Sequence, residues 1–230
     1  MKKGDFIFIA IIIAIAVILI IPVTRTGFEM LTDNYPYLMG FLKTSILASM
    51  GELLASRIAK KKYFTRSGMI YRFIIWGFLG MGFVLMFKVF AEGVIGAMSS
   101  GVLPNVTGTG FFANLYRAFM ISLIMNLIFA PTFMILHRVT DTYIDFGDGN
   151  LKKIVKVPFK KVIAGIEWQG FFGFVILKTI PIFWIPAHTI TFMLPENYRV
   201  LMAGFLSIAL GMILTLSKVR SSGEKSEKLS

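Results

Sequence analysis

YPYLMGFLKTSILASMGELLASRI, residues Tyr35–Ile58, is long enough to cross a bilayer as a helix, yet it carries Lys43 and Glu52 within its length. A charge at bilayer depth costs about 3 kcal/mol on insertion scales, so these side chains must face protein or water rather than lipid. Every fourth residue from Gly40 gives Thr44, Ala48, Glu52 and Ser56, a stripe of small side chains interrupted by one carboxylate. Small residues mark the line where another helix packs closely. Glu52 therefore lies where helices meet, either as a structural carboxylate hydrogen-bonded across the bundle or as a group serving a solute or proton.

The rest of the chain reads the same way. Of its 230 residues 56% are hydrophobic and 16% charged, too apolar for a soluble domain with one core. Apolar segments follow one another with short polar joints, which predicts an all-α, polytopic transmembrane bundle of about six spans, near 6–22, 36–58, 69–98, 111–137, 164–186 and 198–217, in one domain. A polar tail, 218–230, is expected to be disordered. The joint 138–163 alternates around Gly147-Asp148-Gly149-Asn150 and predicts a small β-hairpin. Gly77, Gly80, Gly82, Gly93 and Gly96 predict close helix approach along the third span. Trp168 and Trp184 near the ends of the fifth suggest interfacial anchors.

Cysteine is absent, which excludes disulfides, thiol catalysis and thiolate metal sites, and two histidines are too few for a histidine-based metal centre. No cofactor is expected. The net charge of +12 sits in the joints between apolar segments without stacking aromatics, which fits topology signals beside anionic lipid and not nucleic acid. With both termini in the cytoplasm, 18 of the 24 Lys and Arg fall on inner segments, Arg25 and Arg199 outside, and Lys43, Lys88, Arg117 and Lys178 within spans. This alternation predicts a multi-pass protein of the cell (inner) membrane.

Those four cations come out in the outer half of the bilayer, with His188 and Arg199 at the outer mouth. Two readings are open. They line a positive vestibule for a small anionic solute, or each snorkels to the headgroups. Lys88 and Glu92, at i and i+4, read as a helical ion pair, and Asn126 as a buried polar group near Pro131. His137 and Asp141, one turn apart, could hold a base for a hydroxyl, although no nucleophile motif or phosphate loop accompanies them.

From Tyr35 to about Ser217 the chain resembles the Mpv-seventeen/PMP-twenty-two family of small integral membrane proteins. The resemblance is carried by the order of Tyr35-Pro36, Gly51-Glu52, Arg72, Gly80, Gly82, Asn126, Pro131, Pro186, Phe192, Pro195, Arg199 and Leu214-Thr215. Glu52 stands where the family has Asp, and Met125 where its Asp precedes a Gln. The resemblance implies a helical bundle suggested to form a pore or support small-solute passage, without enzymatic chemistry. The expected function is thus channel-like or transporter-like passage of a small anionic solute through a polar interior; a scaffold without a path is the alternative, and a membrane enzyme the third. The bilayer is the expected partner, and the small-residue stripes leave a homo-oligomer open.

Overall fold

The computed structural model describes residues 3–64 and 66–227, with side chains described from Gly4 to Leu216. Among the described residues the chain is helical with no strand. Helix α1 is Lys3–Ile20, α2 is Pro22–Asn34, α3 is Pro36–Lys60, α4 is Met69–Ser99 and α5 is Phe111–Phe146. Two short helices follow, α6 (Leu151–Ile154) and α7 (Phe159–Ala164). The span α8, Trp168–Met193, starts with a short α-turn, continues as a π-helix over Phe171–Trp184 and ends as an α-helix over Ile185–Met193. Helix α9 is Glu196–Glu227. It therefore runs into the segment from 218 that the sequence assigns to a disordered tail; residues 228–230 lie outside the described residues.

Helices α3, α4, α5, α8 and the part of α9 up to Leu216 are long and apolar enough to cross a membrane, and α1 with α2 makes a sixth if the bent pair counts as one. These are the helices of a multi-pass membrane protein. The first span differs from its expected form: α1 and α2 meet at 92°, because Pro22 begins a new helix instead of ending a straight one. Helix α1 lies along α3 and α9, with Phe8, Ile11, Ile12 and Ile15 packed on Leu47, Met50 and Ile208. Its first turn is clasped by Arg57 (2.9 Å) and the Tyr63 hydroxyl (2.6 Å), both on Asp5. Burial and the Asp5 carboxylate together hold the Tyr63 phenol above its ordinary pKa.

The expected hairpin at 138–163 does not form. Helix α5 runs straight through 138–146, since Asp141 and Asp145 lie one turn apart and both reach arginines. The turn itself is as read, with Asp148 and Gly149 at φ of 50° and 65°. Beyond it, the Asn150 side chain accepts from Lys152 N at 3.0 Å and caps α6, so the chain leaves as helix. The turn packs on the loop before α4, where a Cβ on Gly149 would come 2.2 Å from Gly68 N.

Helix α3 is the axis of the bundle, with α4 on one side and α9 on the other. The small stripe does what its spacing foretells at Gly40 and Thr44: a Cβ on Gly80 would lie 2.3 Å from Gly40 O and 2.5 Å from the Thr44 side chain. The glycines of α4 divide, however. Gly77 and Gly80 sit under Phe41, Gly40 and Thr44, whereas Gly82, Gly93 and Gly96 have nothing within 4 Å and make no close approach. Gly80→Ala is expected to cost about 1–3 kcal/mol by prying α3 from α4, and Gly82→Ala to stay within about 0.5 kcal/mol. Thermal unfolding of both variants in detergent, followed by gel filtration, checks the contrast.

Candidate functional site: two chambers that share one phenylalanine

Two cavities lie inside the bundle. The first, of about 300 Å³, is polar and forms where α2, α3, α4 and the start of α9 gather. Thr32, Asp33, Lys43, Lys88, Asn197 and Arg199 are among its walls. Lys43 is 6% exposed and donates to Thr32 Oγ1 at 2.8 Å and to the Asn197 carbonyl at 3.1 Å, with Phe28 beneath its ammonium at 4.3 Å. Arg199 donates to the Leu194 carbonyl at 3.1 Å and lies over the Phe192 ring. Lys88 pairs with Glu92 at 3.2 Å, as its spacing predicts, and also with Glu196 at 3.1 Å.

The expected gathering of cations is therefore partial. Lys43, Lys88 and Arg199 share a chamber, but Arg117 folds back on its own loop, donating to the carbonyls of Val106 and Gly108. Lys178 is exposed on α8 and lines neither chamber.

The second cavity, of about 340 Å³, is aromatic. Trp76, Phe83, Phe129, Phe133 and Trp184 form much of its wall, closed by Ser207 and Gly211 of α9. Phe87 lines this chamber as well as the polar one, and is itself only 4% exposed. Its ring stands edge-on to His188, with centroids 5.7 Å apart, and leans on Phe192 at 5.3 Å.

Polar groups mark two ends of the aromatic chamber. At one, Glu52 Oε1 accepts from Trp76 Nε1 at 2.7 Å and lies 4.0 Å from His137 Nε2, whose ring packs on Trp76 at 4.3 Å. At the other, Asn126 and His188 form a buried pair, 0% and 5% exposed. His188 is thus not at a mouth: α8 continues to Met193, which carries the histidine into the core. Trp184 is half-buried and stacks on His188 at 5.1 Å.

The tautomer of His188 follows from its partner. Asn126 Nδ2 lies 3.1 Å from His188 Nδ1, but its two hydrogens go to the Ser122 carbonyl at 2.8 Å and to Ser122 Oγ at 3.2 Å, because a hydrogen turned to the imidazole would leave the fully buried Asn126 Oδ1 without a donor among the described residues. Asn126 Oδ1 then accepts from His188 Nδ1–H at 3.2 Å, leaving Nε2 of the histidine with a bare lone pair. Among the described residues, three buried atoms of this chamber lack a hydrogen-bond partner: Glu52 Oε2, Trp184 Nε1 and His188 Nε2.

Below Glu52 lies a charged floor that the sequence reading missed. Arg72, 1% exposed, pairs with Asp141 and, at 2.6 Å, with Asp145; Arg66 reaches Asp141 at 2.9 Å and Asp145 as well. The i, i+4 spacing of Asp141 and Asp145 is the signal for it, and it falls in the joint where the alternation predicts a hairpin. Since arginines occupy both oxygens of Asp141, that carboxylate does not hold His137 as a base. Ligand atoms of Glu52, His137 and Asp141 do lie within 4.8 Å of one another, but a divalent ion there would sit against two guanidinium groups.

Comparison of the chain with protein-family models, with curated proteins and with solved structures finds no match. Asp141→Asn is expected to destabilise the protein by about 1–3 kcal/mol, because the buried Arg72 guanidinium loses one of its two carboxylates and keeps Asp145 at 2.6 Å. Asp145→Asn should cost less, its side chain being 47% exposed. Joint replacement by Arg72→Met and Asp141→Leu should recover most of the loss, read as the midpoint of thermal unfolding in detergent.

Proposed function

We propose that this chain is a membrane protein that passes a small anionic solute, with the polar chamber as its entrance and the aromatic chamber as the next compartment. What supports the reading is the shared wall: two cavities of solute size abut at a single side chain, Phe87, inside a bundle of membrane-length helices. In the polar chamber Lys88 is matched by Glu92 and Glu196, whereas among the described residues the buried Lys43 ammonium hydrogen-bonds only the neutral Thr32 hydroxyl and Asn197 carbonyl, which supports an anion as the solute. Phe87 closes the way onward, and a rotation of its ring is the smallest motion that joins the chambers. The motif order that resembles the Mpv-seventeen/PMP-twenty-two family supports the same assignment.

Purified protein in liposomes loaded with chloride, phosphate or lactate tests it. Efflux of at least one anion should exceed that of empty liposomes, rise severalfold in Phe87→Ala and fall severalfold in Lys43→Met. Lys178→Met should match wild type, because that side chain lines neither chamber. Efflux no greater than that of empty liposomes from every variant would leave a bundle without a path.

A further inference from the structure

The geometry points to the aromatic chamber as a binding site for an aromatic molecule bearing a hydroxyl group, held between Trp184 and His188. Apolar cavities of this kind stay empty or take an apolar guest unless polar atoms inside demand a partner. Here two such atoms come from one stacked pair of rings, 5.1 Å between centroids. Trp184 Nε1 can only donate. His188 Nε2 can only accept, since its Nδ1 hydrogen is spent on Asn126. One donor and one acceptor on a stacked pair of rings are the complement of a hydroxyl, whose oxygen takes the indole hydrogen while its own hydrogen goes to the imidazole. A carbonyl would leave the imidazole lone pair unmet, and an ether would do the same.

The body of the guest follows from the walls. Phe83, Phe129 and Phe133 form a run of ring contacts, with Phe83 stacked on Phe133 at 4.5 Å, and Trp76 extends it toward Glu52. Flat apolar surfaces of this kind favour a flat apolar ring. Their 340 Å³ takes a one-ring or two-ring compound with room to spare. Glu52 Oε2, also unpartnered, accepts from a second hydroxyl or N–H where the guest has one at its far end. A free phenol and the head of a prenylated quinol share this chemistry. The assignment stands apart from solute passage, since equilibrium binding and efflux are measured separately.

Equilibrium dialysis of the protein in lipid nanodiscs, with empty discs as baseline, tests it with 2-naphthol, 2-methoxynaphthalene and naphthalene. 2-Naphthol should bind saturably, one per chain, 2-methoxynaphthalene about tenfold more weakly, the loss expected for one buried hydrogen bond, and naphthalene, which makes neither bond, more weakly still. His188→Phe and Trp184→Phe should each weaken 2-naphthol about tenfold, since either removes one of its two hydrogen bonds. Naphthalene binding itself should persist in both variants, which shows that the chamber is intact. Equal affinities for all three compounds, wild-type naphthol binding in both variants, or no saturable binding would overturn the assignment. A prenylated quinol that displaces naphthol names the membrane as the source of the ring; failure to displace it names a free phenol, and either outcome keeps the site.

Discussion

The bundle depends on one guanidinium. Arg72 is buried to 1% exposure one turn into α4, and hydrocarbon would not solvate it there. Its charge is tolerated because α5 extends beyond its apolar stretch as intact helix and brings Asp141 and Asp145 to the same side, one turn apart. The pair in turn fixes the register of α4 against α5, which sets where Trp76 and His137 meet above it. Glu52 reaches that meeting point from α3 and finds the Trp76 indole. The floor of the aromatic chamber is thus a chain of dependence from salt bridge to ring stack to hydrogen bond, on three helices.

Much of this could be read in the residues, and the failures share a cause. Helix type and number follow from long apolar runs, and the meeting of α3 with α4 from small residues at intervals of four; both are local signals that need no partner to be named. Lys88 with Glu92 is legible for the same reason. Arg72 was legible as a cation near a span end but not as a buried one, because its burial depends on carboxylates about seventy residues away. Lys178 and Arg117 mislead in the opposite sense. Depth along a helix was readable, but the side of the helix was not: Lys178 lies on an exposed flank, and Arg117 turns toward the carbonyls of its own loop.

His188 and Trp184 were hidden by a boundary. The fifth span reads as ending at Pro186, yet α8 passes through that proline and through Pro181 before it. It can do so because the segment before Ile185 is a π-helix. The Ile185 amide donates to the Ile180 carbonyl five residues back, and the Thr179 hydroxyl reaches Phe174 O at the same interval. Pro181 simply lacks the donor that such a turn would use.

The wide turns also explain why a cavity exists at all. Helices of regular α pitch knit together through side chains three and four residues apart, which form the ridges that fill a neighbour's grooves. Over Phe171–Trp184 that spacing is lost, so α8 touches α5 there at a few places, such as Ile180 against Ala130, and meets it most closely from Ile185 onward. Ser122 Oγ makes that closer contact through the Ile185 carbonyl at 2.7 Å. Beside the irregular stretch a space is left, walled by rings from α4 and α5 together with Phe171, Val175 and Thr179 of α8. Single-turn departures from α geometry cluster at functional positions in helical proteins. Here the departure lasts 14 residues and ends at Trp184, whose indole N–H is left without a partner at the chamber wall. Packing that was given up along α8 thus leaves a chamber whose unpaired donor and acceptor sit on two stacked rings.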